Sequence, residues 1–182
     1  MLILTLYIML KKIVKNQITN SQFPITILGI DPGIADTGWG IIDIDSAGKL
    51  TCIDYGSIKT KAGIVLHRRL EILNIELDKI VKKFKPDISA VEELFFCNNA
   101  KTALIVGQAR GVILLTLINN KLPIDEFTPL QVKQAVSAYG KASKMQVQRM
   151  VKLILNLKEI PKPDDAADAL AVAICASNSR NT

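Results

Sequence analysis

Four acidic residues stand at positions where folding alone gives no reason for a carboxylate. Asp31 and Glu92 each end a run of mainly apolar residues. Asp165 and Asp168 lie three residues apart at the start of a segment that is otherwise small and apolar. Apolar strands of this kind are usually covered on both faces, and an unpaired buried charge is very costly. Because Mg²⁺ and Mn²⁺ prefer oxygen ligands, the four carboxylates predict a site for such a cation.

Positive charge is concentrated directly before the pair of aspartates. The chain carries a net charge of +6 over 182 residues. Residues 129–163 contain one acid, Glu159, and seven basic residues, which are Lys133, Lys141, Lys144, Arg149, Lys152, Lys158 and Lys162. This arrangement is expected where lysines hold a polyanion and acids hold the metal that attacks it. The alternative is a solvated helical face, which needs no ligand.

The length and the cysteine content favour a single domain in a reducing compartment. A chain of 182 residues can form one domain with an adequate core. Its three cysteines are widely spaced and include no CxxC pair, which argues against a disulfide framework or a zinc site. We therefore expect a cytoplasmic protein.

The first 24 residues differ in character from the remainder. Met1–Leu10 is apolar but too short to cross a bilayer, which takes about 20 residues in a helix. Lys11 and Lys12 follow this stretch, whereas a secretory signal has its positive charges before it. We expect residues 1–24 to be an appended tail or translation from an upstream start, with a short membrane-surface anchor as the alternative. Residues 25–178 should form the domain.

Apolar periodicity and turn residues predict an α/β fold. The expected strands are 25–31, 38–44, 50–59, 88–92 and 124–127, and the expected helices are 66–84, 98–119, 129–138, 144–157 and 164–177. Three hairpin-connected strands followed by alternating helices and strands predict a ribonuclease H-like mixed five-stranded sheet with helices on both faces. In this order Asp31 lies on the central strand and Glu92 at the end of the fourth. Positions i and i+3 share a helix face, so Asp165 and Asp168 can both point towards those strand ends.

Five motifs in this order resemble the RuvC family of Holliday-junction resolvases. The resemblance covers about residues 25–177, and its motifs are Ile27–Gly33, Ala90–Phe95, Gly107–Gly111, Gln131–Gln134 and Asp165–Ala171. It implies a nuclease that cuts four-way DNA junctions by paired symmetric hydrolysis in recombination and repair. It also implies two Mg²⁺ ions per subunit, with Mn²⁺ able to substitute, a homodimer, and the branch-migration proteins RuvA and RuvB as partners.

The resemblance also assigns roles to individual residues. It implies that the catalytic and metal-binding tetrad is Asp31, Glu92, Asp165 and Asp168. The basic residues that contact DNA in the family match Lys133 and Lys144, and the aromatic that acts on junction bases matches Phe95. Glu93 beside Glu92 departs from the commonest pattern, although alternation along a strand sends the two side chains to opposite faces.

Other interpretations of the same residues stay open at this point. Asp164 or Asp165 could cap the last helix, and Phe95 could belong to the core. Gly107 and Gly111 lie on one helix face, where they fit either close packing within one subunit or a dimer contact. His67, the sole histidine, is expected at the surface.

Two other classes of function compete with the nuclease. An ATP-binding relative of the sugar-kinase and Hsp70 type opens with a similar strand and turn, but it needs two such domains. A non-catalytic junction-binding protein would have lost part of the acidic set, whereas all four acids are present. A metal-dependent cleavage assay on a synthetic four-way junction separates the three classes.

Overall fold

The computed structural model describes residues 23–94 and 100–179 of the chain. Within them, the strands are β1 (Ile25–Asp31), β2 (Asp36–Ile44), β3 (Leu50–Lys59), β4 (Ile88–Glu92) and β5 (Ile124–Phe127). The helices in the same ranges are α1 (Leu66–Phe84), α2 (Ala100–Asn119), α3 (Pro129–Ser137), α4 (Lys144–Ile154) and α5 (Asp164–Asn178). The expected tail, residues 1–24, lies almost wholly outside the described residues.

The described strands form one five-stranded sheet in the order β3-β2-β1-β4-β5. The pairs β1–β2 and β2–β3 are antiparallel, whereas β1–β4 and β4–β5 are parallel. The predicted mixed sheet is confirmed, and β1 is its central strand. Ile30 pairs with Val91 in the parallel ladder, so the ends of β1 and β4 lie side by side.

Helices cover both faces of the sheet, as the sequence predicts. On one face α3, α4 and α5 pack against a cluster that includes Ile27 and Ile88. On the other face α1 and α2 pack against a cluster that includes Leu28 and Val91. Because side chains alternate along a strand, the residues that follow these positions by an even number share their face. Asp31 therefore belongs to the face of Ile27, the same face as α5.

Several element boundaries differ from the predicted ones. β2 begins at Asp36 rather than residue 38, because Asp36 pairs with Lys59 of β3 in the ladder and also forms an ion pair with it at 3.7 Å. α4 ends at Ile154 rather than residue 157, since Asn156 has a left-handed backbone with φ of 50°. α3 ends one residue early at Ser137, where Ala138 is left-handed.

Glycines in β1 and β2 allow α5 to lie directly on the sheet. A Cβ atom added at Gly29 would collide with the backbone oxygen of Ala169, and one at Gly38 would collide with the backbone oxygen of Asp165. Glycine inside a strand is otherwise unfavourable and often marks the close approach of another backbone. These two positions set the height of α5 above the sheet, and they therefore set the height of the acidic residues in its first two turns.

Candidate active site

Two strand ends bring the first pair of carboxylates together. Asp31 ends β1 and Glu92 ends the parallel neighbour β4. Ile88 and Ala90 belong to the cluster on the α5 face, so alternation places Glu92 on that face with Asp31. The two carboxyl groups share a hydrogen bond. Glu93 lies beyond the strand end, where its backbone N–H donates to the carbonyl of Phe127 at 2.8 Å. The structure thus places Glu92, rather than Glu93, beside Asp31.

The first two turns of α5 supply the second pair. Asp165 is in the first turn and Asp168 in the next, and both are half-buried. The helix N-cap is Pro163, which makes no side-chain capping bond. Capping therefore does not account for Asp165. Both aspartates repel the negative charge of Asp31, as Glu92 does, so the four acids interact electrostatically as one cluster.

Burial and repulsion between neighbours raise the pKa of Asp31, Glu92 and Asp168. Burial raises the pKa of Asp31 from its ordinary 3.8 to about 8, and repulsion from Glu92, Asp168 and Asp165 adds to the effect. Burial also raises the pKa of Glu92, with repulsion from Asp168 in the same direction. The pKa of Asp168 is raised by burial as well, although Lys144 opposes the change. The site holds more negative charge than its surroundings compensate.

Two lysines border the acids in one cleft of about 270 Å³. The cleft is lined by Glu92, Pro129, Val132, Lys133, Lys144, Val147, Asp168 and Ala171. Lys133 projects from α3 and attracts Glu92, which lowers the pKa of that carboxyl against the effect of burial. Lys144 Nζ lies 3.0 Å from Asp168 Oδ2. The structure therefore brings both predicted DNA-contacting lysines to the edge of the acidic site.

The donor set fits a hard divalent cation. It contains carboxylate oxygens alone, and burial, reinforced by repulsion from neighbouring acids, raises the pKa of three of its members. Within the described ranges, however, no three acidic, cysteine or histidine side chains stand close enough to form a ready-made metal cage. Two existing contacts occupy carboxylate oxygens that would bind metal. They are the hydrogen bond between Asp31 and Glu92 and the ion pair between Asp168 and Lys144. Metal binding would have to replace these contacts.

An arginine that sequence reasoning did not single out supports the strand ends. Arg110 of α2 donates its Nε–H to the backbone carbonyl of Glu92 at 3.4 Å and forms an ion pair with Glu126 of β5. It ties the helix to the ends of two neighbouring strands. Its only sequence signal was its place inside the Gly107–Gly111 motif. The glycines under α5 were missed too, and their signal was their occurrence inside strands rather than turns.

Phe95 and His67 are the two remaining residues for which the sequence predicted a position or role. Phe95 lies outside the described residues. His67 is exposed at the start of α1, which agrees with a surface position. 

Comparison with protein-family models decides the family. Residues 27–176 match the model for the crossover junction endodeoxyribonuclease RuvC, which is more than half of the chain. The chain belongs to the RuvC family. A RuvC from Caldicellulosiruptor saccharolyticus is 56% identical over 149 residues, covering 82% of this chain and 90% of the relative. A RuvC from Halothermothrix orenii is 56% identical over 153 residues, covering 84% and 92%.

Solved structures agree with the family and the fold. The RuvC of Thermus thermophilus in complex with a Holliday junction substrate superposes with a TM-score of 0.81 at 35% identity, covering 86% of this chain and 96% of the other. The yeast mitochondrial Holliday junction resolvase has a TM-score of 0.66 at 15% identity, covering 94% of this chain and 85% of the other, which shows a shared fold. The expected resemblance to RuvC and the ribonuclease H-like fold are confirmed.

Proposed function

We propose that this protein is a crossover junction endodeoxyribonuclease that resolves four-way DNA junctions by metal-dependent phosphodiester hydrolysis. The observation that carries the proposal is the electrostatic clustering of Asp31, Glu92, Asp165 and Asp168, two of which, Glu92 and Asp168, line a cleft together with Lys133 and Lys144. Membership of the RuvC family supports the same activity. Neither alternative class fits as well, because an ATP-binding relative has no use for the lysines and a binding module has no use for four clustered acids.

The four acids would hold two Mg²⁺ ions per subunit, with Mn²⁺ able to substitute. Asp31 comes from the central strand and interacts with the other three acids, so it would hold metal together with each of them. Glu92 and Asp168 flank it from β4 and α5, and Asp165 either binds metal or orients water. Bound at such a site, metal ions supply an activated water and a positive charge that stabilises the leaving oxygen.

The lysines would hold the DNA backbone rather than read its bases. Lys133 and Lys144 line the cleft beside Glu92 and Asp168. A phosphodiester that bridged the two ammonium groups would lie against the acids that hold the metal, and phosphate contacts of this kind fix position without specifying sequence. Phe95 follows Glu92 by three residues, and we assign it the family's action on junction bases.

A homodimer would provide two such sites for two symmetric cuts. α2 presents an exposed stripe of Leu104, Gly107, Gln108, Gly111, Leu115 and Ile118, which share one helix face. A Cβ atom at Gly111 would meet no described atom within 4 Å, and one at Gly107 would meet only Leu94 at 3.9 Å. Packing among the described residues therefore does not explain these glycines, which favours a contact between subunits over close packing within one. Two copies related by a twofold axis would bury the stripe.

The same stripe explains an apolar helix in a protein that acts on DNA. Thr102–Asn119 is long and apolar enough to cross a membrane by length and composition alone, and only 22% of it is buried. A dimer contact accounts for that exposure without a membrane. We accordingly place the protein in the cytoplasm, where the branch-migration proteins RuvA and RuvB would be its partners during recombination and repair.

Cleavage of a synthetic four-way junction tests the proposal. The protein should cut two opposite strands of the junction when Mg²⁺ or Mn²⁺ is present, should not cut when a chelator is present, and should leave a linear duplex of the same sequence intact. Binding of the junction without any cut in either metal would instead support the non-catalytic class. Binding of ATP without either activity would support the nucleotide-binding class.

A further inference from the structure

Lys144 is an unusual residue for its place in the fold. It is the first residue of α4, whose N-terminus is capped by Ser143 and Gln146 in a reciprocal pair of hydrogen bonds. The N-terminus of a helix carries partial positive charge, so a cation there is unfavourable for the helix itself. A requirement of α4 therefore does not account for this lysine, and the reason must lie in what its ammonium group contacts.

The ammonium group contacts acids of α5. Lys144 Nζ lies 3.0 Å from Asp168 Oδ2 and 3.6 Å from Asp164 Oδ2. The Asp168 side chain is 26% exposed, whereas that of Lys144 is 52% exposed. The carboxylate is thus held in the site while the lysine reaches it from the solvent side, where a long flexible side chain can move away without disturbing the core.

A metal ion and this ammonium group would compete for the same carboxylate. Mg²⁺ binds carboxylate oxygens at about 2.0–2.1 Å, and two cations gathered on one small carboxyl group repel each other. Asp168 Oδ2 is already occupied by Lys144 in the arrangement described, in which no ready-made metal cage exists among the described residues. Release of Lys144 would free that oxygen.

We propose that Lys144 is a positioning residue whose ammonium group holds Asp168 before metal binds. When metal takes its place on Asp168, the ammonium group binds a DNA phosphate instead. The proposal rests on the proposed function, since it takes the acids as the metal site and the cleft as the DNA site. The exchange keeps Asp168 neutralised in the free enzyme. It also links the two ligands, because metal binding at Asp168 makes one more cation, the ammonium group of Lys144, available to the DNA backbone.

The exchange reverses a simple expectation about lysine variants. A lysine that only gripped phosphate would weaken DNA binding on removal and leave the metal affinity unchanged. If Lys144 competes with metal, Lys144→Ala should bind metal more tightly. Loss of any nearby positive charge also favours a cation slightly, so the control must remove an equal charge. Lys141→Ala is matched, since it is exposed, precedes α4 by three residues and forms no ion pair among the described residues.

Calorimetric titration of Mg²⁺ into the metal-free full-length protein tests the exchange without cleavage. Lys144→Ala should bind Mg²⁺ about two- to five-fold more tightly than Lys141→Ala, as expected for loss of a partly exposed ion pair. Lys144→Arg, which keeps a charge at the same place, should stay close to wild type. An affinity for Lys144→Ala equal to or weaker than that of Lys141→Ala would overturn the exchange but leave the nuclease proposal standing. A wild-type protein that bound no divalent cation would overturn both.

Lysine acetylation with an amine-reactive ester, read by mass spectrometry, reports on the ammonium group itself. Addition of Mg²⁺ should increase the labelling rate of Lys144 relative to Lys141 in the wild-type protein, because the ion pair opens. In Asp168→Asn the rate should be higher than in the wild type at the outset, because only the longer contact with Asp164 remains, and it should be insensitive to Mg²⁺. Protection of Lys144 that was the same with and without Mg²⁺ in a metal-binding wild type would overturn the exchange.

Discussion

At the scale of the residue, the acidic site is defined by more negative charge than the neighbouring lysines neutralise. Asp31 is the extreme case, because burial and three neighbouring acids raise its pKa to about 8. Asp168 differs, since Lys144 offsets part of the effect of burial on its pKa. A cluster of this kind weakens the metal-free protein and is relieved by a divalent cation, which is the pattern expected of a site that serves chemistry rather than folding.

The raised pKa of Asp31 predicts how stability depends on pH. The folded protein binds this proton more tightly than the unfolded chain, so the associated stability is complete below pH 4 and is lost as pH rises towards 8. Asp31→Asn removes that loss. In chelator, its Tm advantage over the wild type should grow from pH 5 to pH 8 by at least about 2–4 °C, the change that about 1 kcal/mol produces.

The control for this prediction is Glu159→Gln, which removes an exposed acid from another part of the chain. Its Tm difference from the wild type should be the same at both pH values. An Asp31→Asn protein that was less stable than wild type at pH 8 in chelator would contradict the account of the charge cluster.

Lys133 predicts a measurable change in the salt dependence of DNA binding. Lys133→Ala should weaken junction binding and lower the log-log slope against salt by about one unit, the value for one lost phosphate contact. Lys79→Ala removes the same charge from α1 on the opposite face of the sheet and should leave the slope unchanged. Fluorescence anisotropy across a salt series measures both. Equal slopes for the two variants would remove Lys133 from the DNA site.

At the scale of the element, α5 carries half of the acids and depends on the glycines beneath it. Gly38→Ala would push a Cβ atom into the backbone of Asp165 and lift the start of the helix. We expect a loss of about 1–3 kcal/mol in the free energy of unfolding, the usual cost of overpacking, together with weaker Mg²⁺ binding. Gly63→Ala is the control, because its Cβ atom would meet no atom of residues 23–94 or 100–179 within 4 Å. Equal results for the two variants in denaturant unfolding and in metal titration would contradict the role of Gly38 in positioning α5.

The order of the elements and the positions of the acids were predictable because they depend on local patterns. Apolar runs, turn residues and the i, i+3 spacing of Asp165 and Asp168 are all short-range signals. The seating of α5 on Gly29 and Gly38 was not predicted, since it depends on contact between segments more than a hundred residues apart. The ion pair of Lys144 with Asp168 was missed for a related reason, because it depends on the angle between α4 and α5.

At the scale of the whole molecule, two symmetric cuts require two sites, and the exposed stripe of α2 is where a second subunit would bind. Gly111→Leu adds a side chain that meets no neighbour among the described residues of its own subunit but enters the proposed contact between subunits. It should therefore fold normally, sediment with more monomer than the wild type, and make single nicks in place of paired cuts. Gly63→Leu, at a glycine with equally open surroundings, should remain dimeric. A wild type that sedimented as a monomer and still made paired cuts would contradict the dimer.

In the proposed nuclease, the four acids perform hydrolysis while other groups bind the DNA. The most direct test of this division of roles is to follow cleavage and binding of a synthetic four-way junction together for the wild type, Asp31→Asn, Glu92→Gln and Asp168→Asn in Mg²⁺. Each substitution keeps the size of the side chain and removes its charge. Each variant should lose cutting and retain junction affinity close to wild type, because binding depends on phosphate contacts with lysines. Cleavage at near wild-type rate by any one of the three would contradict the assignment of that residue to the active site.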